Sequence, residues 1–233
     1  RPGDGYLIGT AGGNMYAHGM STLVLCELWG MTQDEDLKPI LEQAVGLIVG
    51  CQNKDGGWRY APTPTEADIS STIMQVMALR AAKNSGIHVP ESTLKKAIEY
   101  INACHNADSG GYDYMPGRRQ PGYARTAAGM CVLQLTGNYD AKEIERGADF
   151  LEAEGEDEKF PWYGTYYACH ALHQVGGTRW EEWYRKTKLK LISRQQSDGH
   201  WEEPHDHEVP DYQTAIAVIV LSTPLNYLPI FQR

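Results

Sequence analysis

Side chains that could bind or protonate a ligand recur near the starts of five helix-like segments of the sequence. They are Asn14, Tyr16, His18, Asp68, Ser70, Arg125, Trp162, Tyr163, Tyr166, Asp211 and Tyr212. The negative π face of an aromatic ring attracts a cation, and a positioned acid can give a proton to an alkene. Stacking rings suit sugars equally well, so these residue types leave the ligand class open.

Asp68 is the candidate catalytic acid of this set. It stands just before Ser70 and Ser71 at the expected start of a helix, where an Asp side chain commonly caps the free backbone N–H groups. A structural cap therefore competes with a catalytic role at this position. The other acidic run, Asp34 to Asp36, precedes a predicted outer helix and is expected to be a solvated cap.

Histidines offer two further possibilities. His205 and His207 could share a divalent ion with Glu202 or Asp211, although a polar loop at the rim of a cavity explains the same residues better. The sequence therefore predicts no metal and no cofactor. His170 and His173 lie one helical turn apart and could either line a cavity or form a satisfied pair in the core.

Arg125 is the cation of the set. It occupies a position where the other segments have Ser71, Gly164 and Gln213. A charge at this place is expected to face a cavity or a partner. An anionic ligand group or a neighbouring acid such as Asp68 would satisfy it.

A repeat organises the elements that must position these side chains. Gln52 to Trp58 (Gln-Asn-Lys-Asp-Gly-Gly-Trp) recurs as Gln195 to Trp201 (Gln-Gln-Ser-Asp-Gly-His-Trp). A looser copy runs from His105 to Tyr112. A degenerate copy from Glu154 to Phe160 has lost its Asp-Gly turn, and Asp4-Gly5-Tyr6 matches the end of the motif.

Each motif leads into a helix-like segment in which a marker residue precedes a Leu by seven positions. The pairs are His18/Leu25, Thr72/Leu79, Thr126/Leu133, Thr165/Leu172 and Thr214/Leu221. Small residues are dense in these segments, which suits helices packed on several sides. More charged, amphipathic stretches alternate with them at 36–51, 91–104, 141–154 and 180–194. The pattern predicts an all-α ring of about five inner and four outer helices.

Composition excludes some partners. With 21 Lys+Arg against 30 Asp+Glu the formal charge is −9, which argues against a nucleic-acid-binding face and against a polybasic membrane anchor. No apolar run in the sequence approaches the roughly 20 residues that a transmembrane helix needs. The five cysteines are isolated and suggest buried apolar thiols rather than a disulfide or metal framework, so the compartment stays undetermined.

The repeat Gln-x-x-Asp-Gly-x-Trp resembles that of squalene–hopene cyclases and of their relatives, the protein prenyltransferase β subunits. The resemblance covers nearly the whole chain, and Asp68 to Thr72 is similar to inner-helix sequence of this family. It implies an α/α toroid around a central cavity, with the N-termini of the inner helices at its mouth. The Gln and Trp would first be structural staples between neighbouring repeats.

The chain departs from both branches of that family. It lacks the Asp-x-Asp-Asp run that supplies the acid in squalene-type cyclases, and Asp68 only falls near the matching place. It also lacks an Asp-x-Cys, and Gln213 stands where the prenyltransferases have their zinc-binding His. The resemblance therefore implies neither defined acid catalysis nor zinc-thiolate chemistry.

The resulting prediction is a single α/α-toroid repeat domain over residues 1–233, an excised piece of a longer protein, that binds an apolar or isoprenoid-like ligand in an aromatic cavity. The ligand-binding candidates are Tyr16, His18, Arg125, Trp162, Tyr163, Tyr166, Asp211 and Tyr212. The alternatives are a carbohydrate-active toroid enzyme, of the polysaccharide lyase or glycosidase type, and a non-catalytic scaffold that binds a protein partner. Exposed Trp162 and Tyr163 beside paired carboxylates would favour the carbohydrate enzyme.

Overall fold

The structure is a computed structural model that describes residues 4–9, 12–156, 159–202, 210–227 and 229–231. Within these ranges the chain forms nine α-helices. They are α1 (Met15–Thr32), α2 (Leu37–Gly50), α3 (Ile69–Asn84), α4 (Glu91–Ala103), α5 (Tyr123–Leu135), α6 (Lys142–Glu154), α7 (Pro161–Val175), α8 (Gly177–Arg194) and α9 (Pro210–Ser222). Short 3-10 helices follow at Thr223–Leu225 and Pro229–Phe231.

The odd-numbered helices form an inner layer. In this layer α1 packs on α3, α3 on α5, α5 on α7 and α7 on α9, while the even-numbered helices lie outside. The arrangement confirms the predicted α/α toroid with five inner and four outer helices. Most residues of α3 and α5 are buried, as expected of helices covered on several sides, whereas α4 and α6 bury one apolar stripe.

The repeated turns tie neighbouring hairpins together. The Trp58 indole donates to the Ile48 carbonyl at 2.7 Å, inside its own hairpin. The Gln52 amide donates to the Thr93 carbonyl of the next outer helix at 2.9 Å. Because both bonds are made by the turn, these residues have the structural role that the sequence predicts.

The opposite end of the ring, at the C-termini of the inner helices, contains the last described residues. Ile230 and Phe231 are buried there. The backbone N–H of Ile230 lies close enough to Glu27 of α1 to lower the pKa of that carboxyl, which burial raises, and the Gln174 amide of α7 donates to the Phe231 carbonyl. The segment therefore fills the base of the ring. None of the helices within the described ranges is both long and apolar enough to cross a membrane.

Candidate functional site

Tyrosines from α1 and α7 meet across the ring. The hydroxyls of Tyr16 and Tyr167 lie 3.3 Å apart, and the ring centroids of Tyr16 and Tyr163 are 6.2 Å apart. Two inner helices, α3 and α5, separate α1 from α7 around the ring. The contacts therefore span the interior and place an aromatic cluster where the N-termini of the inner helices converge.

The cluster has two levels. Tyr16, Tyr163 and Tyr212 each stand two positions before a marker residue, and all three are half-buried. Tyr166 and Tyr167 lie about one turn deeper on α7 and are buried, with ring centroids 4.9 Å apart in an edge-to-face arrangement. Partly exposed tyrosines thus lie at the mouth above a closed aromatic floor. We call this set of five tyrosines the mouth cluster.

Burial keeps the mouth cluster uncharged. It raises the pKa of Tyr163 to about 12, and it raises the pKa of Tyr16 and Tyr167 well above the usual value. The Tyr163 hydroxyl lies near enough to Ser70 and Tyr16 for them to lower its pKa somewhat, but none of the described residues is placed to form a good hydrogen bond with it. The surface offered to a ligand is therefore neutral and π-rich.

His170 continues the interior below the mouth cluster. It is 2 % exposed, packs edge-to-face on Tyr166 at 4.8 Å and stacks on Phe231 at 3.5 Å between centroids. Neither ring nitrogen has a hydrogen-bond partner among the described residues. Burial, followed by the nearby His173, lowers the pKa of His170 to about 3, so the ring is neutral.

Asp68 is the N-cap of α3. Its side chain is fully buried, and it accepts the Ser71 backbone N–H at 2.8 Å and the Ser71 hydroxyl at 3.2 Å. The residue also extends the preceding turn, because its own N–H donates to the Trp58 carbonyl at 3.0 Å. Asp68 is thus tied into the fold on both its side chain and its backbone.

The surroundings of Asp68 push its pKa in opposite directions. Burial raises the pKa, while hydrogen bonds from Ser71 and Tyr114 and the charge of Arg59 lower it, and the net shift is upward. The Arg59 side chain stays 4.0 Å away and pairs more closely with Glu66 at 3.1 Å. Tyr163 of the mouth cluster is near enough for Asp68 to raise its pKa.

His18 lies away from the mouth cluster. It is fully buried and faces the outer layer, where its Nδ1 accepts the Leu7 backbone N–H at 3.1 Å and its Nε2 lies 3.2 Å from the Ala44 carbonyl of α2. Thr72, Thr126 and Thr214 stand at the same marker position and also accept a turn N–H. Side chains at the marker position therefore hold the turns in place. In this structure His18 has that role.

Arg125 folds back onto its own loop. Its Nη2 donates to the Gln120 carbonyl at 2.7 Å, and its guanidinium lies against Gly122. The cation nearest Asp68 is Arg59. The structure therefore does not join Arg125 to Asp68.

The remaining predicted residues are dispersed. Trp162 is 4 % exposed and lines a separate cavity beside α8. Asp211 is exposed in the first turn of α9. His205 and His207 lie outside the described residues. Within the described ranges, no three His, Cys, Asp or Glu side chains are grouped so that they could hold a metal ion.

Three residues near the site escaped the sequence prediction. Tyr167 could have been found by helical spacing, because it lies four positions after Tyr163 on the same face. Tyr114 lies just after the turn at His105 to Tyr112, and Phe231 belongs to a segment without the repeat. Nothing in the sequence pattern indicates that these two approach Asp68 and His170.

Concentric helices with an aromatic mouth at the inner N-termini define the class of fold as an α/α toroid. The sequence matches the prenyltransferase alpha-alpha toroid domain over residues 4–160 and 149–230. The chain belongs to that family. Curated proteins yielded no match.

Solved structures share the fold at low sequence identity. A protein from Actinoplanes superposes with a TM-score of 0.66 at 20% identity, covering 95% of this chain and 70% of that one. The type II terpene cyclase MstE from Scytonema gives a TM-score of 0.70 at 14% identity, covering 95% and 68%. Salmonella alpha-2-macroglobulin gives 0.58 at 14% identity, covering 93% of this chain and 15% of that one.

One of these relatives has been solved with a ligand. A variant of the Scytonema cyclase in complex with its substrate, geranylgeranyl dihydroxybenzoate, superposes with a TM-score of 0.68 at 14% identity. At these identities the similarity establishes the terpene cyclase-like toroid fold of this chain.

Proposed function

We propose that the chain binds an apolar, isoprenoid-like ligand at the mouth cluster. The observation that carries the proposal is the meeting of Tyr16 with Tyr163 and Tyr167 across the ring. Partly exposed tyrosines above a buried aromatic floor would remove apolar ligand surface from water, which contributes about 25 cal/mol per Å². The substrate of the Scytonema cyclase, with its geranylgeranyl group, has the ligand chemistry that such a surface suits.

The alternatives fit the described residues less well. A carbohydrate site was expected to expose Trp162 and Tyr163 beside paired carboxylates, whereas Trp162 is buried and Tyr163 half-buried. Asp211, the other carboxylate predicted at the mouth, is exposed on α9, while Asp68 is buried under Ser71. A scaffold role would not need the aromatic mouth cluster.

Ligand binding is tested with geranylgeraniol as the probe and calorimetry or native mass spectrometry as the readout. Replacing Tyr163 or Tyr212 by Ala should weaken binding by roughly tenfold each, since a ring contact with an apolar ligand is worth about 1–2 kcal/mol. Tyr227→Ala is the matched control, because Tyr227 is 71% exposed and follows the last inner helix. Equal binding by all three variants would contradict the proposed site.

Proton transfer from Asp68 is a second candidate function, favoured by the upward shift of its pKa on burial beside Tyr163. Asp68→Asn should keep the cap, because Asn caps as well as Asp, but should abolish any cyclised product from geranylgeranyl dihydroxybenzoate. Asp113→Asn is the control, since Asp113 is also buried and accepts loop N–H groups from Arg119 and Gln120. Unchanged product from Asp68→Asn, or none from the wild type, rules the acid role out.

A further inference from the structure

The short C-terminal segment Pro229–Phe231 lies in the middle of the ring, below the mouth cluster. It packs against α3, the Phe231 ring stacks on His170 of α7 at 3.5 Å between centroids, and the Ile230 backbone lies close to Glu27 of α1. A cavity of about 30 Å³ lies between it and the C-terminal turn of α5. Because the segment approaches four inner helices, it occupies the centre of the ring and not its rim.

Positions along α7 give the depth of the segment. Gln174, whose amide donates to the Phe231 carbonyl, follows Tyr163 of the mouth cluster by eleven residues, which is about 16 Å along a helix. His170, which the Phe231 ring covers, lies only about 10 Å below Tyr163. The segment therefore fills roughly the lower third of the interior between these levels.

Phe231 also supports the aromatic floor of the mouth cluster. The Tyr166 ring packs edge-to-face on His170 at 4.8 Å and on Phe231 at 6.3 Å between centroids, so the three rings fill the interior one below another. In a close-packed interior a ring can move only when its neighbour gives way. Displacement of Phe231 would therefore free His170 and Tyr166 to move, and the space below the mouth would deepen.

The closed arrangement has a cost that opening would relieve. His170 is 2 % exposed, and neither of its ring nitrogens has a hydrogen-bond partner among the described residues. A buried polar group without a partner is costly. Once Phe231 leaves, water can reach the His170 ring, and this cost disappears.

The chain before the segment is suited to local opening. Leu225 and Tyr227 are 59% and 71% exposed, so this stretch is held by few apolar contacts, as is typical of regions that open without global unfolding. The inner helices pack directly on one another. They therefore keep their mutual contacts when the segment moves away.

We propose that the segment Pro229–Phe231 is a removable stopper that determines how long an isoprenoid chain the ring admits. The inference rests on the proposed function, because it concerns the same ligand site. A short chain is held at the mouth cluster with the stopper in place, whereas a long chain reaches the level of His170 and must displace Phe231. Since displacement uses part of the binding free energy, the stopper weakens the binding of long chains selectively.

Geraniol and geranylgeraniol are the short and the long probe, and calorimetry measures the affinity for each. Phe231→Ala should strengthen geranylgeraniol binding roughly fivefold, because less of the stopper must be displaced, and should leave geraniol binding unchanged. Tyr227→Ala is the matched control, since Tyr227 is an exposed ring that precedes the stopper. It should bind both alcohols as the wild type does.

The His170 ring protons give a second readout in the unaltered protein. The stacked Phe231 ring shifts their NMR signals upfield, and His170→Gln identifies these signals by their loss. Geranylgeraniol should move them toward their ordinary positions, whereas geraniol should leave them in place. This readout decides the question even if Phe231→Ala does not fold.

The outcomes separate the stopper from the proposed function. If geranylgeraniol binds the wild type without moving the His170 signals, the stopper is overturned and the proposed function stands. Equal geranylgeraniol affinities of the wild type and a folded Phe231→Ala overturn the stopper as well. If neither protein binds either alcohol, the proposed function is contradicted and the stopper falls with it.

Discussion

Polar side chains inside the ring divide into those that hold turns and those that face the interior. His18 and Thr72 accept turn N–H groups, whereas Tyr16 and Ser70, two positions earlier, point to the opposite side of their helices, since two residues turn a helix by about 200°. The sequence predicts which residues recur at the helix starts, but not which side is the interior. His18 was therefore grouped with Tyr16 although the structure separates them.

His170 makes the free energy of unfolding depend on pH. The unfolded chain takes up a proton near the ordinary His pKa of about 6.5, whereas the folded protein resists protonation until about pH 3. Between these values the unfolded state binds more protons, so stability is complete above about pH 6.5 and is lost as the pH falls. The loss of unfolding free energy on acidification should be smaller in His170→Gln than in the wild type, by an amount on the order of a few kcal/mol.

Urea unfolding at pH 7 and pH 4.5 measures this effect. His88→Gln is the control, because His88 is exposed and lies outside the inner layer, and it should keep the wild-type dependence. If His170→Gln and the wild type lose stability equally steeply with falling pH, His170 is not the cause of the pH dependence.

At the scale of the elements, the repeat allowed the helices to be located well. The predicted outer stretch 91–104 corresponds to α4, and 141–154 to α6, because each has three-and-four apolar spacing between capping signals. Helix α8 begins at Gly177, three residues before the predicted Trp180. A positive-φ glycine pair, Gly176 and Gly177, lets the chain turn directly from α7 into α8, so the usual connecting loop is absent and its length could not guide the prediction.

The close packing of a turn glycine on the next outer helix gives a paired prediction. Gly56 and Gly199 have nearly the same backbone, with φ of 95° and 96°. A Cβ on Gly56 would lie 2.2 Å from the Lys96 carbonyl oxygen, whereas among the described residues one on Gly199 would meet only the Gln195 amide, at 3.9 Å. Gly56→Ala should therefore destabilise the protein by several kcal/mol, and Gly199→Ala by about 1 kcal/mol from its positive φ alone.

Thermal unfolding of both variants tests whether packing of Gly56 on α4 stabilises the fold. A comparable decrease in Tm for Gly56→Ala and Gly199→Ala would mean that the loss of stability comes from the backbone conformation and not from packing on α4. A large decrease for Gly56→Ala alone supports the view that the turn is clamped between adjacent hairpins.

For the whole molecule, the order and layering of the hairpins follow from the repeat, because a hairpin with an apolar face must stack on its neighbours. The sequence does not indicate what fills the ring. Contacts across the interior, such as Tyr16 with Tyr167, join residues 151 positions apart, and no local pattern encodes them. The segment at 229–231 lies outside the repeat, so its burial in the base of the ring was not foreseen either.

The central claim, that the mouth cluster receives an isoprenoid-like ligand, is tested most directly by photocrosslinking with a benzophenone-bearing geranylgeranyl probe. Peptide mapping should place the label on the first turns of α1 and α7, around Tyr16 and Tyr163, and an excess of geranylgeraniol should abolish it. Label confined to the outer helices, or label that geranylgeraniol does not displace, would contradict the account.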